Sequence, residues 1–350
     1  MTSTPTSGVD MQPTVIGHEV LIATVPASVG VQYHGGDRGV LYALDTTSGK
    51  VIWSFDTVDS KDLWGNPSVN SGGGAWYPPA IDPSSGIVYW GTANPAPFPG
   101  TAQYPNGSSR PGPNLYTDST VALNLRTGHL IWFRQAVPHD LFDQDFVNAL
   151  LTTVATRTGT RTVVVGAGKG GQVLGMDPST GWLLWRTTVG IHENHLLTAL
   201  PGPTLIMPGT FGGVLSPPAS ADGDVYVTAL NAPDVLYPNQ TAYFGGKVGT
   251  MDGDLVAIDA ATGRRLWTTS IPGDPTGGAT VVNNLVITAT LQGKLVGVNR
   301  ANGNIVWTED VGYGISGWLA IDGNLLVVPT GTVGGGGHLV AYRLGSSALP

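Results

Sequence analysis

The sequence predicts an all-β protein built as a β-propeller, a ring of four-stranded antiparallel blades. One phrase recurs five times: an apolar strand ends in Asp or Asn, a turn reaches Gly four positions later, and a second strand reaches Trp eight positions after the acid or amide. Two further strand-like runs precede copies of this phrase, and no sustained period of 3.6 residues indicates helices. Four short strands per repeat with one Trp in each are typical of propeller blades.

Each copy of the phrase has the chemistry of a β-hairpin. Asp or Asn can bond its own backbone in the turn, and Gly can adopt a positive φ. We interpret the repeated Trp as a packing device between neighbouring blades, with an indole N–H that requires a partner. A sixth copy begins at His338 and does not reach a Trp. The five complete copies run from Leu41 to Trp53, Val121 to Trp132, Val173 to Trp185, Leu255 to Trp267 and Leu295 to Trp307.

The uneven spacing of the copies predicts where the chain carries insertions. Successive Trp residues are 79, 53, 82 and 40 positions apart, and the two longer insertions cover 94–118 and 232–249. Long loops on a rigid scaffold commonly carry binding functions. A shorter excursion holds His192 and His195, which could form a metal pair; no third ligand is evident, and we interpret them as loop residues. We therefore predict a single propeller domain over residues 1–350, with blades at about 9–58, 59–137, 145–190, 210–272, 273–311 and 312–345.

Composition excludes several classes of function. Charged residues make up 11% of the chain and the net charge is -8, so the basic footprint of a nucleic-acid-binding protein is missing. The chain has no cysteine, which excludes disulfides, thiolate metal sites and covalent c-type haem. The first eight residues lack the basic end and apolar core of a signal peptide, and no stretch is long enough to span a bilayer.

Four ordered segments are more specific than the blade repeat: Trp76–Pro83, Val88–Pro97, Asn114–Ser119 and Pro138–Asp143. Together they resemble the motifs of the quinoprotein alcohol dehydrogenases, eight-bladed propellers that hold pyrroloquinoline quinone (PQQ) and usually Ca²⁺. The resemblance implies oxidation of a small-molecule or polymeric alcohol, a separate electron acceptor, and a periplasmic or extracellular location. The oligomeric state is not readable from the sequence.

The resemblance also implies roles for individual residues. The metal-binding asparagine of the family corresponds to Asn94, and its catalytic aspartate, which also binds the metal, corresponds to Asp143. Trp76 corresponds to the tryptophan beneath the flat face of PQQ, Lys169 to the basic residue beside the quinone oxygens, and Asn231 to an amide that contacts the cofactor. These types suit the chemistry, because a planar quinone stacks on an aromatic face and a hard cation takes oxygen ligands. The carboxylate would accept the alcohol proton while hydride leaves for the quinone.

Each of these residues also has an ordinary structural interpretation. Asp143 lies among other acidic loop residues, where a carboxylate is usually solvated or caps a turn. Asn94 precedes a proline and suits a turn, Trp76 could pack between blades, and Lys169 in its Gly-rich turn could be solvated.

The chain departs from the family pattern at several places. Ser28 stands where the family has a metal-binding glutamate, and Asp37 could substitute for it if its loop folds back. The adjacent-cysteine disulfide that covers the other quinone face in many members cannot form. An aromatic residue of the last Gly-rich loop is missing from 331–337.

Blade number raises a second interpretation. We count six blades against the eight of the family, so the chain resembles a member without the N-terminal blades. Six blades would either close into a smaller ring, with a last strand supplied by the N-terminus, or leave an open arc. The alternative function is therefore a non-catalytic, BamB-like binding scaffold with a degenerate metal site.

Overall fold

Six antiparallel sheets in chain order form the blades, which confirms the predicted propeller. The computed structural model describes residues 7–26, 35–241, 249–331 and 336–343. Blades 1 to 5 have four strands each, and blade 6 has three within the described residues. In chain order the blades consist of Thr14–Ile16, Glu19–Ala23, Val40–Asp45 and Val51–Asp56; Ala80–Asp82, Ile87–Gly91, Ser119–Asn124 and Leu130–Gln135; Asn148–Thr156, Gly159–Ala167, Gln172–Met176 and Leu183–Thr188; Ala219–Ala221, Asp224–Leu230, Asp252–Asp259 and Arg265–Pro272; Thr280–Val282, Leu285–Ala289, Lys294–Asn299 and Ile305–Asp310; and Ala320–Asp322, Leu325–Thr330 and His338–Arg343.

Short elements join and cover the blades. Three two-stranded antiparallel sheets pair Ser7–Gly8 with Val25–Pro26, Ser71–Gly72 with Pro95–Ala96, and Thr204–Ile206 with Asp234–Leu236. Within the described ranges the helical structure is a three-residue 3₁₀ turn at Pro105–Gly107, and no helix there is long and apolar enough to cross a membrane.

The repeated Trp residues occupy equivalent positions, as predicted. Each lies in the fourth strand of its blade and pairs with a small residue of the third strand, and the register shifts immediately beyond that pair. In four cases the indole N–H donates to the next blade, to the carbonyl of the residue directly after its turn-forming Asp or Asn. These bonds join Trp53 to Leu125 (2.8 Å), Trp132 to Pro178 (2.9 Å), Trp185 to Ala260 (2.8 Å) and Trp267 to Arg300 (2.7 Å).

The turn glycine completes this inter-blade contact. Gly181 has φ +66°, and a Cβ placed on it would lie 2.5 Å from the ring of Trp132 in the preceding blade. Gly128, Gly263 and Gly303 stand in the same relation to the preceding Trp. The repeat therefore requires Gly both for its backbone angle and for the space that the indole occupies.

The hydrophobic core lies between the faces of successive blades. Leu21 and Leu41 of blade 1 pack with Val88 and Val121 of blade 2, and equivalent clusters fill the spaces between the later blades. The described N-terminal strand, Ser7–Gly8, pairs with Val25–Pro26 and not with blade 6. The strand that would close the ring is therefore not supplied by these residues.

All six blades contribute to one central cavity of about 560 Å³. Its walls come from the first strand of each blade or from the residues just before that strand. One residue from each blade in turn is Thr14, Tyr77, Asn148, Ser220, Thr280 and Trp318.

Candidate functional site

The antiparallel order of the strands brings four of the predicted residues to the same end of blades 2 and 3, next to Tyr77 of the cavity wall. In each blade the first strand begins at the end where the second strand finishes. Trp76 and Asp143 precede the first strands of blades 2 and 3, whereas Asn94 and Lys169 follow the second strands of the same blades. Loops far apart in sequence thus meet at this end of blades 2 and 3, which we call the rim.

Lys169 lies at the centre of this group. Its Nζ lies 2.8 Å from Oδ2 of Asp143, 2.5 Å from Oδ2 of Asp145, and 4.7 Å from the centroid of the Trp76 ring. The side chains of Lys169 and Asp145 are 6% and 2% exposed, whereas that of Asp143 is 16% exposed. Asp143 is thus the more exposed of the two carboxylates that contact Lys169.

Asn94 joins the group through Asp145. Its backbone N–H donates to Oδ1 of Asp145 over 2.8 Å, and its side-chain amide donates to the carbonyl of Pro95 over 3.0 Å. The amide oxygen, which is the atom that could bind a cation, takes part in neither bond. Sequence reasoning missed Asp145 as a site residue, although its position two residues after Asp143 was a usable signal.

The backbone of Asp143 adopts a left-handed conformation, with φ +61°. Asp and Asn tolerate this region better than other residues with a Cβ. The neighbouring carboxyl of Asp140 accepts the N–H groups of Phe142 (2.7 Å) and Gln144 (2.6 Å), which fixes the turn that presents Asp143.

Burial and like charge raise the pKa values of Asp143 and Asp140. Burial raises the pKa of Asp143 well above its usual range; Lys169 opposes this shift, and Asp145 adds to it because its carboxylate is a like charge close by. Burial also opposes the charge of Lys169, but the two carboxylates outweigh it and raise the pKa of the ammonium. Burial raises the pKa of Asp140 to about 6.

Asp118 is a further buried acid that the sequence did not single out. It is fully buried, and neither of its carboxylate oxygens has a hydrogen-bond partner among the described residues. Burial raises its pKa well above the usual range, and Asp140, Asp145 and Asp143 add to the shift against Arg110. Within the described part of the chain, the charges that shift the pKa values of Asp118 and Asp143 belong to four carboxylates and two cations. The carboxylates are those of Asp118, Asp140, Asp143 and Asp145, and the cations are Arg110 and Lys169. A buried excess of negative charge attracts protons or a cation.

The donor types fit a hard cation. Carboxylate and amide oxygens are the ligands that Ca²⁺ takes, and the region supplies them from Asp143, Asp145 and Asn94. Across residues 7–26, 35–241, 249–331 and 336–343, no three acidic or imidazole side chains converge into a ready-made metal cluster. The ammonium of Lys169 lies between Asp143 and Asp145, so a shared cation there would require that ammonium to move.

Aromatic rings beside the carboxylates fit a planar ligand. Trp76 is half-buried, and its indole N–H is buried with no partner among the described residues. Its ring is parallel to that of Tyr77, with centroids 6.2 Å apart and planes 3° apart, and Tyr77 meets Trp318 edge-on at 5.6 Å. Tyr77 and Trp318 both line the central cavity. Burial raises the pKa of Tyr77 to about 12, so its phenol is neutral.

Asn231 lies in a different environment. Its Oδ1 accepts the N–H of Ile191 over 2.9 Å, and its Nδ2 donates to Oδ1 of Asp252 over 3.1 Å. It lines a second cavity of about 390 Å³ together with Met207 and Met251. The structure therefore brings Trp76, Asn94, Asp143 and Lys169 together through direct contacts and Asp145, and gives Asn231 other partners.

The positions at which the sequence departs from the family pattern are partly described. Ser28 lies outside the described residues, as do residues 332–335 of the last Gly-rich segment. Asp37 is buried, and its carbonyl accepts the N–H of Gly72, while the next N–H, that of Gly73, donates to the carbonyl of Asn94. The backbones of Asp37 and Asn94 are therefore linked through Gly72 and Gly73, which lie between them.

Comparison with known proteins agrees with the propeller fold. The sequence profile described as the β-propeller domain of glucose, ethanol and alcohol dehydrogenases (PQQ) matches residues 2–193, and a profile of the outer membrane protein assembly factor BamB matches residues 251–346. The quinoprotein alcohol dehydrogenase PedH of Pseudomonas putida is 30% identical over 142 residues, which are 41% of this chain and 19% of PedH. The putative dehydrogenase XoxF of Paracoccus denitrificans is 30% identical over 219 residues, covering 51% of this chain and 35% of XoxF.

Among solved structures, the quinohemoprotein alcohol dehydrogenase of Comamonas testosteroni superimposes with a TM-score of 0.74 at 22% identity, over 93% of this chain and 57% of that protein. At this identity the likeness shows the fold alone. The chain matches about a third or less of the length of PedH and XoxF. Because the PQQ dehydrogenase profile matches more than half of its 350 residues, the chain belongs to the family of PQQ-dependent glucose, ethanol and alcohol dehydrogenase β-propellers.

Proposed function

We propose that this chain takes part in the PQQ-dependent oxidation of an alcohol, with Asp143 as the base. The observation that carries the proposal is the contact of Lys169 with both the Asp143 carboxylate and the Trp76 ring, next to Tyr77 of the central cavity wall. Three residue types that such a reaction needs, a base, a cationic group and an aromatic platform, meet there from three separate loops.

Each residue of the site would have a distinct task. The quinone would supply the hydride acceptor, and a hard cation such as Ca²⁺ would supply Lewis acidity beside it. Ionised Asp143 would accept the hydroxyl proton of the alcohol at its carboxylate. Lys169 would orient Asp143 and stabilise negative charge on a nearby oxygen, and Trp76 would support the flat face of the ring system.

After the Lys169 ammonium moves from between Asp143 and Asp145, these two carboxylates and the amide of Asn94 would hold the cation. Asp37, linked to Asn94 through the backbone of Gly72 and Gly73, would replace the carboxylate lost at Ser28. Asn231 would act on the ligand indirectly, through the loop that begins at Ile191.

The partners follow from the same proposal. The substrate would be a small-molecule or polymeric alcohol, and the electrons would leave to a separate acceptor, because a chain without cysteine cannot bind a c-type haem covalently. We place the activity in the periplasm or outside the cell, by family resemblance.

Replacement of the base tests the mechanism. Asp143→Asn keeps an oxygen for the cation and suits the left-handed backbone, but an amide cannot accept the substrate proton. We expect the variant to bind PQQ with Ca²⁺ as the wild type does and to lose alcohol oxidation measured with an artificial electron acceptor. Asp322→Asn, at an exposed strand end of blade 6, is the matched control. Full turnover by Asp143→Asn would exclude Asp143 as the base.

A second candidate function is a non-catalytic binding scaffold. The observation that favours it is the BamB profile, which matches residues 251–346, a region that carries none of the four converging residues. A folded wild-type chain that binds neither PQQ nor Ca²⁺ at high concentration would support the scaffold and contradict the dehydrogenase.

A further inference from the structure

We propose that His192 and His195 form a binding site for a divalent transition-metal cation such as Zn²⁺, on the loop between blades 3 and 4. The two imidazole rings have centroids 4.3 Å apart and planes inclined by 64°. Rings at this separation need only a rotation of the side chains to bring one nitrogen of each within reach of one cation, whose bonds to imidazole nitrogen are about 2.0–2.1 Å long.

The hydrogen bonding of His192 indicates which nitrogen is available. Its Nε2 lies 2.9 Å from the carbonyl oxygen of Val189. A carbonyl only accepts, so Nε2 carries the proton and Nδ1 carries the lone pair. Nδ1 is buried and has no hydrogen-bond partner among the described residues. Histidines that bind a metal through one ring nitrogen usually donate the N–H of the other nitrogen to a backbone carbonyl, as His192 does.

Both imidazoles favour the neutral form that binds metal. Burial lowers the pKa of His192, and Arg265 adds to the shift while the bond to Val189 opposes it. Burial lowers the pKa of His195 too, and His192 adds to the shift. Metal binding at neutral pH therefore displaces few protons from the rings.

The loop is held in place on both sides of the pair. Glu193 and Met207 exchange two backbone hydrogen bonds of 2.8 and 2.9 Å. The side-chain amide of Gln144 donates to the carbonyl of His195 over 3.1 Å, and the N–H of Ile191 is bound by Asn231. A cation would therefore meet two ligands on a fixed backbone, which lowers the entropic cost of binding.

The ligand type separates this site from the carboxylate region. Imidazole nitrogen favours Zn²⁺, Ni²⁺ or Cu²⁺, whereas Ca²⁺ prefers the oxygen ligands near Asp143. Two protein ligands leave the remaining coordination positions to water, so we expect a weaker site than a four-ligand structural zinc site. This inference does not depend on the proposed dehydrogenase function.

Calorimetric titration of the chain with Zn²⁺ in excess Ca²⁺ tests the site. We expect one Zn²⁺ per chain, and an affinity at least about tenfold weaker in His192→Gln and in His195→Gln. His129→Gln, which changes an exposed histidine of blade 2, should bind as the wild type does. Melting curves without metal would show whether each variant is folded.

A spectroscopic measurement on the wild type does not depend on any variant. Cu²⁺ bound at this site should give an electron paramagnetic resonance spectrum with coupling to two imidazole nitrogens, in the presence of excess Ca²⁺. The proposal is overturned if Zn²⁺ does not bind, if either folded loop variant binds Zn²⁺ as tightly as the wild type, or if the Cu²⁺ spectrum shows no coupling to two nitrogens.

Discussion

Two turn glycines of the repeat offer a matched test of the inter-blade contact. Gly49 in blade 1 and Gly181 in blade 3 occupy the same position of the repeat, with φ +67° and +66°. A Cβ on Gly49 would have no atom within 4 Å, whereas a Cβ on Gly181 would lie 2.5 Å from the ring of Trp132. Replacement of each by Ala therefore imposes the same backbone strain, and at Gly181 alone it also displaces an indole.

The expected losses of stability follow from these two terms. A left-handed backbone at a residue with a Cβ costs about 1–2 kcal/mol, so Gly49→Ala should lose that much. Overpacking adds about 1–3 kcal/mol, so Gly181→Ala should lose about 2–5 kcal/mol in total. The difference between the variants measures the contact with Trp132, because the strain cancels.

Urea denaturation followed by tryptophan fluorescence measures both losses. The fluorescence of Trp132 should also change in the folded Gly181→Ala variant, because its ring must shift. Equal losses of unfolding free energy in the two variants would refute the inter-blade role of the glycine.

Two further predictions concern the ligand site and the buried acids. Trp76→Ala should weaken PQQ binding by about 1–3 kcal/mol in a fluorescence or calorimetric titration. The control Trp182→Ala removes an indole that is 71% exposed and should leave PQQ binding unchanged. Equal effects of the two substitutions would exclude stacking of PQQ on Trp76. Burial raises the pKa of Asp140 from 3.8 to about 6, so the carboxyl keeps its proton to a higher pH in the folded state than in the unfolded chain. Its contribution to the free energy of unfolding should therefore fall as the pH rises from about 4 to 6. The unfolding free energy of the wild type minus that of Asp140→Asn should decrease across this window, and a constant difference would contradict the shift.

The fold was predictable because its determinants are local and repeated. The turn-forming acid or amide, the glycine and the Trp stand at fixed offsets, and the structure confirms their common register. The need of each indole N–H for a partner was also predictable. The identity of the partner was not predictable, because the accepting carbonyl belongs to the next blade and depends on how the sheets stack.

The site was predictable only through residues that belong to recognisable motifs. Asp145 was missed because its position two residues after Asp143 indicated its loop but not its contacts with Lys169 and Asn94, which come from separate segments. Asp118 was missed because carboxylates are usually exposed, whereas this one is fully buried. The pairing of Ser7–Gly8 with Val25–Pro26 also could not be read from the sequence, since such short strands carry little pattern.

The central claim is that the rim formed by Trp76, Asn94, Asp143 and Lys169 binds PQQ together with a hard cation. The most direct test is the absorbance spectrum of the wild-type chain titrated with PQQ in the presence of Ca²⁺, with and without a chelator. We predict a saturable change in the quinone spectrum that requires Ca²⁺ and is reversed by the chelator. An unchanged spectrum at high concentrations of PQQ and Ca²⁺ with folded protein would contradict the claim.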